Sequence, residues 1–132
     1  FKKFNDTYGH DTGDAVLRMI ATKMSKVNGG GTAYRYGGEE FSLVFNGKNS
    51  DEAKPYLDAL RETIANTPFI VNRASRRKNE KQGRRKKNKA VKVTVSIGLA
   101  DSSKEAAPWE ILKLADKALY RAKGKGRNRV CS

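Results

Sequence analysis

The chain has 132 residues, 37% hydrophobic and 32% charged, and its 28 Lys and Arg against 14 Asp and Glu give a formal net charge of +14. This length suits one domain with one core and no need of staples, and the single cysteine, Cys131, excludes an intrachain disulfide framework and fits a reducing compartment. No apolar run approaches the ~20 residues that cross a bilayer, and the opening Phe1-Lys2-Lys3-Phe4 is neither a signal peptide nor an initiator methionine, so the chain reads as a piece of a longer protein: a cytoplasmic domain whose parent is free to be membrane-anchored.

A polar, glycine-containing opening from Asn5 to Gly13 precedes apolar residues at Leu17, Ile20, Met24 and Val27. That spacing predicts a helix, with Thr12 as its cap and Asp14 in its first turn. Asn28-Gly29-Gly30-Gly31 stops it. Two short strands are expected next, Ala33–Tyr36 and Phe41–Phe45, joined by the hairpin signal Gly37-Gly38. Ser50-Asp51-Glu52 opens a second helix with Ala53, Leu57, Leu60 and Ile64 inward and Pro55 in its opening turn. Pro68–Val71 is a short strand, and Val91–Leu99, alternating Val91, Val93, Val95, Ile97 and Leu99, is the clearest strand of the chain. A third helix is expected from Pro108 through Lys123, with Ile111, Leu112, Ala115, Leu119 and Tyr120 inward, followed by an edge strand at Arg129–Cys131. The resulting order predicts an α+β domain, helices flanking a mainly antiparallel central sheet, over residues 1–132.

One stretch departs from this pattern. Between Arg73 and Lys92 eleven cations face a single acid, Glu80. We expect an elongated, partly disordered solvated loop over about 73–90. An anionic membrane surface, an acidic partner, nucleic acid and long-range attraction of an anionic substrate stay open as its uses. It lacks aromatics for base stacking, so no specific nucleic acid is expected as a partner.

Three constellations carry chemistry. Glu39 and Glu40 are adjacent acids on a tight turn; they repel each other, and a divalent cation bridging substrate phosphates would relieve this. A solvated hairpin with two surface acids fits the same local pattern. Asn5 and Asp14 flank a glycine-rich segment and offer acceptors and donors suited to a purine edge, although Asp14 is equally a helix-start acid. Lys123-Gly124-Lys125-Gly126-Arg127 sets cations at a helix C-terminus, where they suit the helix dipole and also phosphate capture by the forked Arg127.

Together these segments say more than each alone. Phe1–His10 (FKKFNDTYGH), Thr12–Asp14 (TGD), Arg35–Phe41 (RYGGEEF), Val93–Ala100 (VTVSIGLA) and Ala115–Asn128 (ADKALYRAKGKGRN) resemble, in order and spacing, the bacterial GGDEF family of diguanylate cyclases, here in a GGEEF form. The resemblance implies a palm-like nucleotidyl cyclase fold. It also implies condensation of two GTP into cyclic di-GMP and two pyrophosphates across a homodimer, with two Mg²⁺ or Mn²⁺ ions per active site. On this basis Glu39 matches the metal-binding acid and general-base candidate, and Glu40 the adjacent required acid. Gly37 and Gly38 would underlie the triphosphate. Asn5 and Asp14 match the guanine-reading pair, Lys2, Lys123 and Arg127 the triphosphate contacts, and Phe1 and Phe4 the apolar lining. The family's other metal-binding Asp is expected upstream of Phe1, on a first strand the chain does not include. Many relatives bind product through Arg-x-x-Asp; Asn28, Gly29, Gly30 and Gly31 occupy those positions, so that inhibition should be lost. A regulatory sensory domain is expected in the parent chain. Two competing readings are a non-catalytic GTP- or cyclic di-GMP-binding regulatory module and a basic nucleic-acid-binding domain driven by charge alone.

Overall fold

The computed structural model describes residues 1–71, 89–103 and 107–132. The basic loop expected over 73–90 lies outside the described residues except for Lys89 and Ala90. The elements run α1 (Lys2–Tyr8), α2 (His10–Ser25), β1 (Gly31–Gly37), β2 (Glu40–Phe45), α3 (Ser50–Asn66), β3 (Phe69–Val71), β4 (Lys89–Val91), β5 (Ile97–Gly98), α4 (Pro108–Gly124) and β6 (Val130–Cys131).

The opening segment is helical rather than a polar loop. Phe1 stacks on Phe4 at 5.8 Å between centroids, and Phe4 meets Tyr8 at 4.7 Å, so aromatic contacts at helical spacing support α1 despite its Asn, Asp and Thr. Gly9, at φ 90, separates α1 from α2. Because α2 begins at His10, Thr12 lies inside it rather than capping it, and the acid in its first turn is Asp11, not Asp14. Helix α3 is capped one residue earlier than expected: the Asn49 side chain accepts from the Glu52 N–H at 2.9 Å, and the Glu52 carboxylate accepts from the Asn49 N–H at 3.2 Å. Pro55 therefore stands in the second turn. The predicted inner face of Ala53, Leu57, Leu60 and Ile64 is buried as expected.

The core sits between α2 and α3. Val16, Ile20 and Met24 pack against Leu60 and Ile64, with Phe4, Ala33, Phe41, Leu43, Val93 and Val95 around them. The strands form three two-stranded ladders rather than one continuous sheet: β1–β2 and β3–β4 antiparallel, β5–β6 parallel. The α+β class and mainly antiparallel pairing hold. The expected strand Val91–Leu99 is laddered only at its two ends. Between them, 92–96 keeps its alternation, with Val93 and Val95 against the core and Lys92 and Thr94 exposed, but it has no ladder partner among the described residues.

Helix α4 buries Ala118 and Ala122 and leaves Leu112 and Tyr120, both expected inward, exposed, Tyr120 by 80%. The cause is how closely β5 approaches. A Cβ on Gly98 would collide with the Ala115 carbonyl and the backbone of Leu119, so the helix closes on backbone and on Ala118 and Ala122, while Ile111 and Leu119 stay partly buried and Leu112 and Tyr120 face outward. None of the helices is long and apolar enough to cross a membrane, among the described residues.

Gly98→Ala should cost about 2 kcal/mol or more, since backbone cannot yield as a flexible side chain does; an unchanged urea midpoint would show that β5 and α4 are not in this contact. Asp101 supplies a second test. Its carboxylate accepts from the Ser103 hydroxyl, from the Ser50 N–H at 2.6 Å and from the Ser103 N–H at 3.0 Å, and these bonds hold it well below the usual carboxylate range. A carboxyl depressed in the folded state adds stability that is present above its unfolded value of about 3.9 and is lost as pH falls below it. Between pH 5 and pH 3 the Asp101→Asn protein should therefore lose less stability than the unaltered one, and parallel pH profiles would contradict this role.

Candidate functional site

The elbow between α1 and α2 brings Asn5 and Phe1 together on Gly13, with Lys2 and Asp14 next to them in sequence. Asn5, on α1, is half-buried, and its side-chain oxygen is buried without a hydrogen-bond partner among the described residues. It lies directly on Gly13: a Cβ there would overlap the amide oxygen, approach Cγ to 2.9 Å and meet the Phe1 ring at 3.3 Å. Leaving such an acceptor unsatisfied costs roughly 1–3 kcal/mol. Phe1 caps α1 and is 38% exposed; Lys2, the first residue of α1, is exposed. Asp14 follows Gly13 on α2, exposed, and lines an open groove of about 500 Å³ between α2 and the β1–β2 hairpin, together with Leu17, Arg18, Ala33, Arg35 and Phe41.

The hairpin turn forms where the Gly-Gly pair predicted it. Gly38 has φ 55, a left-handed conformation that favours glycine. The Arg35 guanidinium donates to the Gly38 carbonyl at 2.8 Å, fastening the turn to its own strand. Glu39 lies in the turn, Glu40 opens β2 opposite Gly37, and both are exposed. Among the described residues no group of three or more His, Cys, Asp or Glu is placed to hold a metal ion. The donor set here is thus two neighbouring carboxylates. That suits a hard cation such as Mg²⁺, which keeps waters and takes one or two carboxylates plus substrate phosphates.

A third locus ends α4, the helix that packs on β5 and β6. Lys123 stands in its last turn, exposed. The chain then closes through Lys125 N–H to Arg121 C=O at 2.9 Å and Arg127 N–H to Ala122 C=O at 3.0 Å, leaving Arg127 exposed at φ 63 and Asn128 at φ 46. Sequence reasoning missed Arg35 and Arg61. Arg35 carried no signal beyond its charge, and Arg61 donates to the Asn128 side chain across 67 residues of sequence, beyond any local pattern.

Comparison with known proteins gives these loci a context. Residues 1–129 match the family model of the diguanylate cyclase GGDEF domain. The response regulator PleD of Caulobacter vibrioides is 38% identical over 98% of the chain, which spans 26% of that protein's length. The chain thus covers well under two thirds of the curated relatives it matches. The GGDEF domain of DgcB from Caulobacter crescentus, solved in complex with c-di-GMP, superposes with a TM-score of 0.80 at 32% identity, over 98% of this chain and 70% of that one. The active GGEEF domain of a diguanylate cyclase from Vibrio cholerae does so with a TM-score of 0.72 at 30% identity, over 98% and 74%.

The elbow can be tested without any ligand. Gly13→Ala should push the Asn5 amide out of its seat, shift its side-chain NH₂ resonances and lower stability by about 1–3 kcal/mol; unmoved resonances would show that Asn5 does not rest on Gly13.

Proposed function

Because this chain belongs to the GGDEF family of diguanylate cyclases, we propose that it condenses two GTP into cyclic di-GMP, each 3′-hydroxyl attacking the other nucleotide's α-phosphorus and each pyrophosphate leaving. The observation that carries this reading is Asp14 lining the groove beside the hairpin that carries Glu39 and Glu40, with Asn5 seated on the neighbouring Gly13. A carboxylate accepts from the adjacent N1–H and N2–H₂ donors that guanine has and adenine lacks, and an amide complements the rest of the purine edge. Asp14 accordingly selects GTP over ATP. Phe1 and Phe4 form the apolar lining, while Lys2, Lys123 and Arg127 neutralise the triphosphate, Arg127 with its planar fork.

Gly37 and Gly38, with open space where a Cβ would stand, let phosphates approach the turn. Glu39 is the acid that holds the metal and takes the proton from the attacking hydroxyl, with Glu40 beside it. Mg²⁺ or Mn²⁺, two per site in this reading, supplies Lewis-acid stabilisation of the charge developing on the phosphates. The remainder of the rate enhancement is positioning and electrostatics, since no covalent intermediate is needed. Two domains must face each other, each presenting its nucleotide to the other.

The segment that binds product in many relatives is replaced here. Asn28 and Gly31 stand where the Arg and Asp would be. A Cβ on Gly29 would come within 2.7 Å of the Tyr56 ring, and one on Gly31 within 2.8 Å of the Phe45 ring. A side chain at the Gly31 position would thus need the Phe45 ring to shift, which supports a cyclase free of that feedback.

Incubating the full-length protein with GTP and Mg²⁺ tests the reading. Cyclic di-GMP should form at an initial rate that rises more than linearly with protein concentration, stay unslowed by added product, and fall on the order of 10²-fold or more in Glu39→Ala. Tight GTP binding with no turnover would favour the regulatory module instead.

A further inference from the structure

We infer that Arg61 of α3 is a positioning residue for Arg127, holding the turn after α4 in the conformation that presents its guanidinium to the substrate's phosphates. The inference rests on the reading of Arg127 as a triphosphate contact. Two consecutive non-glycine residues, Arg127 and Asn128, are left-handed at φ 63 and 46. L-residues visit that region singly and reluctantly, and a strained pair persists only where its surroundings over-determine it. The backbone bond from Arg127 N–H to Ala122 C=O fixes the entry to the turn, and Arg129 Nε donates to the Arg127 carbonyl at 3.1 Å. Both are local to the segment. Among the described residues, the one side-chain hydrogen bond that ties it to another element is from Arg61 Nη1, which donates to Asn128 Oδ1 at 2.9 Å.

Arg61 is itself well placed for this. Its side chain is only 17% exposed, with Nε 3.4 Å from Asp58 Oδ1 and Nη2 3.5 Å from Glu62 Oε1. The two carboxylates orient the guanidinium and offset its charge beside a turn that already carries Lys123, Lys125, Arg127 and Arg129. A cation aimed at a neutral amide therefore anchors the turn without adding unpaired charge to it. The geometry of all three contacts uses separate nitrogens of one planar fork, which lysine cannot reproduce.

The test is a binding measurement on the full-length protein with Mg²⁺ and a GTP analogue carrying a methylene bridge between its α- and β-phosphates, with GMP as the comparison. Arg61→Ala should weaken the analogue about fivefold to tenfold and GMP by less than about twofold, because the missing hold affects only the distal phosphates. Arg61→Lys should fail to rescue. Asn128→Gly, which removes the contact and relieves the strain at its own position, should retain most of the analogue's affinity and make it insensitive to Arg61→Ala. In an Arg127→Ala background, Arg61→Ala should add nothing further. Equal losses for analogue and GMP, or full additivity with Arg127→Ala, would overturn the positioning role while leaving Arg127's role intact. If Arg127→Ala itself leaves the analogue's affinity unchanged, the phosphate reading of Arg127 fails and the inference with it. Should Arg61→Ala not fold, Asn128→Ala removes the same contact from the other side, and an unchanged analogue affinity there also overturns it.

Discussion

The seam between α2 and α3 is the contact on which the other features depend. Val16, Ile20 and Met24 bury against Leu60 and Ile64, and burying side chains of this size is worth roughly 1.5–3 kcal/mol each. An exposed ion pair contributes only about 0–1 kcal/mol, and a chain of net charge +14 also repels itself. The seam must therefore outweigh that repulsion. It fixes candidate site positions at the same time. Gly13 and Asp14 precede Val16 on one helix, and Arg61 follows Leu60 on the other, so the rotation that buries the apolar stripe also determines where the polar neighbours point.

Close approach is the second device. At Gly13 the missing Cβ admits a side-chain amide, and at Gly98 it admits the backbone of a helix. The first seats the Asn5 amide and the second joins β5 to α4. Both work by omission, which makes them sensitive to the smallest substitution. An alanine at either place adds one carbon to a space already filled, and packed interiors have little room to absorb it.

What could be read from the sequence depended on how far each feature reached along the chain. The inner face of α3 was legible because Ala53, Leu57, Leu60 and Ile64 repeat at helical spacing, and the hairpin because Gly37-Gly38 sits between alternating strands. Helix α1 was not, since Asn5, Asp6 and Thr7 favour turns locally and only the stacking of Phe1, Phe4 and Tyr8, together with packing on α2, overrides them. The outward Leu112 and Tyr120 were misread because α4 has apolar residues around much of its circumference, and the face that turns inward is chosen by the contact with Gly98. For Val91–Leu99, periodicity gave the burial pattern correctly but could not give the ladder, which depends on a partner elsewhere. Among the site residues, Glu39, Asn5 and Arg127 were ambiguous by local chemistry, and the order of five separated segments is what singled them out. Arg61 had no signal at all, because its partner lies 67 residues away.

The site residues differ in depth. Of the two that would read the base, Asn5 is half-buried with its amide oxygen sealed from solvent and Asp14 is exposed. Glu39, Glu40, Lys123 and Arg127, which would act on the phosphates, are all exposed. A site that completed its chemistry within one domain would gain by burying those charges, because a dry pocket strengthens every electrostatic contact. One that finishes only against a second nucleotide-bearing domain must keep them at the surface, where an approaching copy can supply the missing wall. Exposed phosphate-acting groups are thus what the proposed two-domain condensation calls for, and its rate would depend on how well the hairpin and the turn after α4 hold them in place.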